Sequence, residues 1–450
     1  MFSLNGTQVF SLVKPVARQA GRLALALLVS AFLTSIAVAQ RYDTIEAKVT
    51  ERVANSVKSQ VISPSLRDAA AFAANREKFD DYFKQYYFPI MTSTAADDLG
   101  LLRKRREDLF KQFIRQTKLE EVSEHLTKLT MAEMARIALG NYHPAARYNA
   151  VLILGNLDQK YSRDVGNNPT PPVPLPDATM RLLVLLEEDE VKGVIIPTSL
   201  KIGALVGLAR HARFGIDPKY ASQTTDAALQ VIATQSPPED VALEVHHWMK
   251  CQAARVLANQ FGKGPTAEVL TALTNLIASD EMSLEDRCSM AELLKKMQFE
   301  GAQEIDSPAV LTALGNLAKV VAEIETESAE EYQEEVLGGN PGGGFSRGRS
   351  FGRGNQPQGP EYERRRMLTR FKSIHTGLDA LQPALPPEHQ EQGLALIEVL
   401  EPLITVAGEK DSLDITVVDQ VITTSREIKQ IVASWNQADQ PAEGSDEDFS

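Results

Sequence analysis

Cysteine is almost absent from this chain. Only two cysteines occur in 450 residues, Cys251 and Cys288, which excludes a small fold that several disulfides hold together. The sequence also lacks a CxxC pair, a helical HExxH pattern, a nucleophile motif and a phosphate-binding glycine loop. Those are the signatures by which short motifs reveal metal sites and active sites. We therefore expect neither an enzyme nor a bound cofactor.

Basic residues are fewer than acidic ones. The chain has 47 basic residues against 60 acidic ones, a formal net charge of −13. Such an acidic protein repels nucleic acid and anionic lipid as a whole. Binding through basic residues therefore has to come from local islands. Because the chain is longer than one compact globule usually is, we expect an elongated or two-part body.

Residues 1–39 predict a secretory signal peptide. Three basic residues and no acidic one accompany an apolar run at 23–38, and small residues lead up to a cleavage site after Ala39. An uncleaved membrane anchor is the alternative, but the apolar run is shorter than the roughly 20 residues that a membrane span needs. We expect export to the periplasm, the cell envelope or the medium, with no stable membrane span after cleavage.

One helical frame occurs four times between residues 143 and 297. In the first copy Arg147, Ala150 and Leu154 form one stripe of a helix whose first turn contains Pro144. The same order of a basic residue, a small or flexible apolar residue and a leucine returns in three later copies: Lys201, Ala204 and Leu208; Lys250, Ala253 and Leu257; Arg287, Met290 and Leu294. The pattern predicts stacked helix pairs that cover each other's apolar faces.

Four helix pairs follow from this frame and from the helical pattern before each copy. They are predicted at 120–139 with 144–157, 177–188 with 197–213, 225–234 with 240–261, and 266–279 with 283–297. Earlier helices are predicted at 66–87 and 96–116, and a later one at 308–336. The proline-rich segment 169–176 cannot be helical and is predicted to be an exposed polyproline stretch.

These repeats resemble HEAT-type, armadillo-like α-helical repeats. An apolar residue usually precedes the basic one in that family, and Ala146, Leu200 and Met249 comply, whereas Asp286 does not. The resemblance implies an all-α fold, an α-solenoid whose concave face binds other proteins, and no inherited catalytic residues. We therefore predict that a protein partner binds in a groove near the four repeated basic residues: Arg147, Lys201, Lys250 and Arg287.

Composition divides the chain into six segments. A glycine- and arginine-rich stretch is too poor in branched apolar residues to pack and predicts a disordered linker. Three amphipathic helices after it predict a small bundle or a cap on the solenoid. The segments are the signal peptide (1–39), an N-terminal segment (40–65), the α-helical HEAT-like solenoid (66–337), the linker (338–360), the C-terminal helical bundle (361–436) and a disordered acidic tail (437–450).

Histidine and cysteine offer one alternative function. His247 and Cys251 share a helix face, His246 is adjacent, and Cys288 occupies the corresponding position in the next copy of the frame. A metal site or an enzyme could be built there, but a fourth close ligand is missing. Neighbouring packed helices also lie too far apart for a disulfide between the two cysteines, which favours two buried free thiols.

The linker offers a second alternative. Arg347, Arg349 and Arg353 alternate with phenylalanines, as in tracts that bind RNA or another polyanion. Three arginines are few, and export and the acidic body argue against nucleic acid, so a flexible hinge is favoured. A third possibility is internal, because the acidic helix end at 323–335 could attract the basic island at 347–372.

Overall fold

The computed structural model describes residues 41–162, 170–239, 241–260, 264–299, 302, 304–337 and 362–438. The predicted signal peptide, the linker with Arg347, Arg349 and Arg353, and the tail beyond 438 lie outside these ranges. Within them the protein is mostly α-helical. None of its described helices combines the length and the apolar character that crossing a membrane requires.

The helices are numbered here in chain order. They are α1 (Glu51–Val57), α2 (Ala69–Tyr82), α3 (Ala96–Gly100), α4 (Leu102–Asp108), α5 (Glu120–Leu139), α6 (Pro144–Leu154), α7 (Pro176–Glu187), α8 (Thr198–Phe214), α9 (Pro218–Ala233), α10 (Leu243–Gln260), α11 (Ala267–Ala278), α12 (Leu284–Leu293), α13 (Ser307–Leu337), α14 (Arg364–Leu381), α15 (Pro387–Gly408) and α16 (Asp414–Ala438). The chain continues α1, α2 and α4 with π-helical turns at Lys58–Ile62, Phe83–Tyr87 and Leu109–Ile114. Two antiparallel ribbons pair β1 (Asp158–Lys160) with β2 (Val173–Pro174) and β3 (Glu190–Val191) with β4 (Val194–Ile195).

Helices α5 to α14 alternate between two rows. The first row contains α5, α7, α9, α11 and α13, and each of these helices contacts the next one in the row. The second row contains α6, α8, α10, α12 and α14, with the same contacts between neighbours. Each first-row helix also packs against the second-row helix that follows it in the chain. All four helix pairs that the sequence predicts are therefore present, with shifts at their ends that reach seven residues at the start of α9.

The last three helices pack against the end of these rows. Helix α14 packs against α12 and α13, α15 lies beside α14, and α16 lies against both α13 and α15. Helix α16 runs antiparallel to α13, because Asp419 accepts a hydrogen bond of 2.7 Å from Gln333 near the end of α13, whereas Trp435 touches Gly315 near its start. The C-terminal helices thus share their core with the helices before the linker.

The apolar positions of the repeated frame form the core between the two rows. Each of them is at most 1% exposed: Ala150, Leu154, Ala204, Leu208, Ala253, Leu257, Met290 and Leu294. Burying one large aliphatic side chain stabilises a fold by about 1.5 to 3 kcal/mol. The prediction that these residues are buried is confirmed, and their repetition gives successive pairs a common way to pack.

Helix ends follow capping chemistry. At the start of α12 the hydroxyl of Ser283 accepts a hydrogen bond of 3.1 Å from the backbone N–H of Asp286. Helix α9, in contrast, starts at Pro218 rather than at residue 225. The carboxylate of Asp217 accepts from the N–H of Lys219 at 2.9 Å, and proline fits the first turn. The Asp217-Pro218 pair is itself a helix-start signal in the sequence.

Three segments differ from the sequence-based expectation. The sequence pattern predicts no helix within residues 40–65, whereas α1 and its continuation to Ser65 lie there. The polyproline prediction is wrong for Val173–Pro174, which pairs with Asp158–Lys160 as a strand. The ribbon at 190–195, between α7 and α8, was also missed. Strands this short leave almost no alternation of polar and apolar residues for a sequence pattern to show.

Two glycines let α6 and α8 approach closely. A methyl group on Gly155 would lie 2.6 Å from the Cα of Gly207, a backbone atom that cannot turn aside. We expect Gly155→Ala to lower the free energy of unfolding by about 1 to 3 kcal/mol, because the helices must move apart. Gly100→Ala is the control, since nothing lies within 4 Å of its added methyl group. Chemical denaturation of both variants checks this, and equal stabilities would contradict it.

Candidate functional site

The repeated arginines join the two helices of a pair. Arg147 is buried and donates from Nε to the carbonyl of Ala138 at 3.0 Å and from Nη2 to that of Ile195 at 2.9 Å. Arg287 is buried as well and donates from Nε to the carbonyl of Ile277 at 2.8 Å. Ala138 and Ile277 lie in the last turn of a first-row helix, where carbonyls lack partners and a cation is favourable.

The repeated lysines have different surroundings. Lys201 forms an ion pair of 2.6 Å with Asp189, just after the end of α7. Lys250 lines a groove of about 980 Å³ between α9 and α11, together with Asp226, Glu268 and Glu281. Burial lowers the pKa of Lys250, and the nearby Glu281 opposes that shift.

The structure therefore does not bring the four repeated basic residues together in one groove. Arg147 and Arg287 are enclosed in separate helix pairs, and Lys250 faces the first row. Their binding of a partner stays a prediction. The contacts of the two arginines tie α5 to α6 and α11 to α12.

The histidine and cysteine residues of α10 and α12 are buried. His246 donates from Nε2 to the carbonyl of Thr234 at 3.1 Å, and burial lowers its pKa. Cys251 and Cys288 are both buried free thiols, and burial raises the pKa of each to about 12. Among the residues that the structure describes, no group of three or more histidine, cysteine or acidic side chains is placed to hold a metal ion.

A cluster of cations lies where three second-row helices end, and sequence reasoning missed it. We call it the basic surface, and it consists of Arg213 at the end of α8, Arg255 on α10, and Lys295 and Lys296 directly after α12. Hydrogen bonds hold these helix ends together. Asn259 donates to the carbonyl of Ala209 at 2.8 Å and accepts from Lys296 at 2.9 Å. Arg255 reaches the hydroxyl of Ser289 on α12 at 3.4 Å.

Like charges lie close together on this surface. In the described part of the chain Arg213, Arg255 and Lys296 form no ion pair, whereas Lys295 pairs with Glu292. Partial burial lowers the pKa of Lys296, and the neighbouring cations Arg213, Arg255 and Lys295 lower it further. Cations held close together in this way are stabilised by an anionic ligand.

The chemistry of the surface has to be interpreted from its own residues. Comparison with protein-family models, with curated proteins and with solved structures gives no match to this chain. The four cations occupy different offsets from the frame, so the repeat does not predict them. The Lys295-Lys296 dipeptide was the one visible signal, and only the fold reveals that Arg213 and Arg255 lie beside it.

A second cluster of charged residues joins α14 to α12 and α13. Arg370 on α14 donates to Glu325 on α13 at 2.7 Å and to Glu285 on α12 at 2.5 Å. Glu325 is only 2% exposed, and the Tyr362 hydroxyl donates to it at 3.4 Å. The acidic end of α13 thus attracts one residue of the predicted basic island, Arg370, whereas Arg347 to Arg353 lie outside the described residues.

Proposed function

We propose that this chain is an exported HEAT-type α-solenoid scaffold that binds a protein partner in the cell envelope. We further propose that the partner presents an acidic segment to the basic surface. The observation that carries this proposal is the group of four cations at three successive second-row helix ends, three of which form no ion pair within the described residues. Export rests on the leader pattern alone, and the protein-binding role rests on the repeat architecture.

The contact pattern supports a solenoid. Each helix contacts the next helix of its own row and its partner in the other row, which is how repeat proteins bury a continuous core. Stacks of this kind bind partners along the surface that successive repeats present. The basic surface extends over three such repeats, so one extended segment can contact all of its cations.

An acidic polypeptide fits this surface better than a nucleic acid does. The chain as a whole carries a net charge of −13, which repels a long polyanion beyond the small cluster of four cations. A short acidic segment meets only the local charge. The expected interaction is electrostatic, fast to form and weakened by salt.

Charge reversal on the basic surface tests the proposal. In the variant with Arg213→Glu, Arg255→Glu and Lys296→Glu, we expect at least about a tenfold weaker binding of a fluorescein-labelled oligoglutamate peptide, because three attractions become repulsions. Fluorescence anisotropy at low and at physiological salt measures the affinity. Crosslinking in envelope fractions with the same two proteins then identifies the natural partner.

The matched control reverses three exposed lysines elsewhere, with Lys104→Glu, Lys118→Glu and Lys128→Glu. It carries the same net charge as the test variant, so a general charge effect would weaken both equally. Equal affinity of all three proteins for the peptide would refute the proposed site. Tighter binding of a single-stranded oligonucleotide than of the peptide would instead favour a polyanion binder.

A further inference from the structure

We propose that the acidic C-terminal segment 439–450 of this same chain docks on the basic surface and competes there with the partner. This inference rests on the proposed function, because it concerns the same surface. The segment would act as an autoinhibitor of partner binding, since a partner has to displace it before it can bind. Three features support it: where α16 ends, how far the segment reaches and what charge it carries.

Helix α16 ends on the side of the molecule where the basic surface lies. The contact between Trp435 and Gly315 places its last turns beside the start of α13. The start of α13 follows the connection that contains Lys295 and Lys296. The second-row helices end at that same side, since Lys296 bonds to Asn259 near the end of α10, and Asn259 bonds to Ala209 near the end of α8.

The segment is long enough to reach the cations. Twelve residues follow Ala438, and an extended chain of that length spans about 40 Å. Packed helices lie about 8 to 10 Å apart. Helix α16 contacts α13, and α13 in turn contacts α12, so the lysines after α12 lie about two helix spacings away. Arg255 and Arg213 lie one and two spacings further along the row.

The segment carries the complementary charge. Its sequence, DQPAEGSDEDFS, contains five acidic residues and no basic one. The three consecutive acids near its end, Asp446 to Asp448, match a surface on which three cations lack an ion-pair partner in the described residues. Attachment to the body raises the effective concentration of the segment to about the millimolar range, so even weak attraction keeps the surface occupied.

Two experiments on the full-length chain test this inference. Zero-length carbodiimide crosslinking joins amines to carboxylates that are in contact. We expect mass spectrometry to find a bond from Lys295 or Lys296 to an acid within 439–450, in the monomer band of a gel. A bond found only in a dimer band would overturn the intramolecular proposal and assign the contact to a second copy.

The second experiment ends the chain after Ala438. We expect the shortened protein to bind the oligoglutamate peptide roughly 3- to 10-fold more tightly than the full chain, because the internal competitor is gone. Changing all five acids to their amides should have the same effect without shortening the chain. The gain should vanish in the Arg213, Arg255 and Lys296 reversal variant.

The two proposals fail in different ways. If the shortened chain binds the peptide with the affinity of the full chain, and if neither lysine crosslinks to the segment, the segment does not dock and the basic surface still binds. If the shortened chain does not bind the peptide at all, the basic surface is not a site for acidic segments and both proposals fall.

Discussion

Replacing Arg370 with methionine should lower the free energy of unfolding by about 3 to 5 kcal/mol, since it leaves a buried carboxylate without its cation. Glu325 is 2% exposed, and its ion pair with Arg370 is 2.7 Å long. The Tyr362 hydroxyl, at 3.4 Å, is its other hydrogen-bond partner among the described residues. Equilibrium denaturation of the full-length protein measures the loss.

Two further variants show whether the buried pair is responsible. Arg366→Met removes an exposed ion pair on the same helix, and we expect it to change stability by less than about 1 kcal/mol. Arg370→Met combined with Glu325→Leu removes both charges and should recover most of the lost stability. A double variant as unstable as Arg370→Met alone would show that the loss comes from packing and not from an unpaired charge.

Between pH 7 and pH 4 the protein should lose roughly 3 kcal/mol of stability through one histidine. His211 on α8 is fully buried and lies 2.8 Å from the hydroxyl of Thr179. Burial, assisted by the neighbouring Arg210, lowers the pKa of His211 from 6.5 to about 3. The unfolded chain therefore takes up a proton near pH 6.5 that the folded chain refuses until about pH 3, so stability falls as pH falls through this window.

Comparison with His211→Gln isolates this effect. Asp158, whose pKa burial raises despite its ion pair with Arg210, titrates in both proteins and cancels in the difference. The variant is expected to start less stable at pH 7 and to lose roughly 3 kcal/mol less than the natural chain on acidification. Parallel curves of unfolding free energy against pH for the two proteins would contradict the prediction.

The repeated core could be predicted because apolar residues at helical spacing indicate which face of a helix is buried. Ala204, Leu208 and Leu257 carry that signal, and the structure confirms that they are buried. The function of the basic member of the frame could not be predicted in the same way. A sequence shows that Arg147 and Arg287 occupy the same position of the frame on two different helices, but not that their guanidinium groups turn inward to backbone carbonyls.

The basic surface could not be predicted from the sequence for a different reason. Arg213 and Arg255 lie on two helices and Lys296 lies just after a third, and the three stand at different distances from the repeated residue. Only the packing of the helix ends brings them together, and packing depends on where each helix stops. Helix ends are set by caps and turns of one or two residues, which is where sequence patterns are least informative.

Helices α13 and α14 stay in contact across a long stretch of intervening sequence. These helices are packed neighbours although residues 338–363 lie between them in the sequence. The intervening residues only have to close a loop whose two ends are already fixed, and doubling such a loop costs about 0.6 kcal/mol. Evolution can therefore lengthen, shorten or replace this insertion, and so acquire new sequence there, while the helices on both sides keep their places.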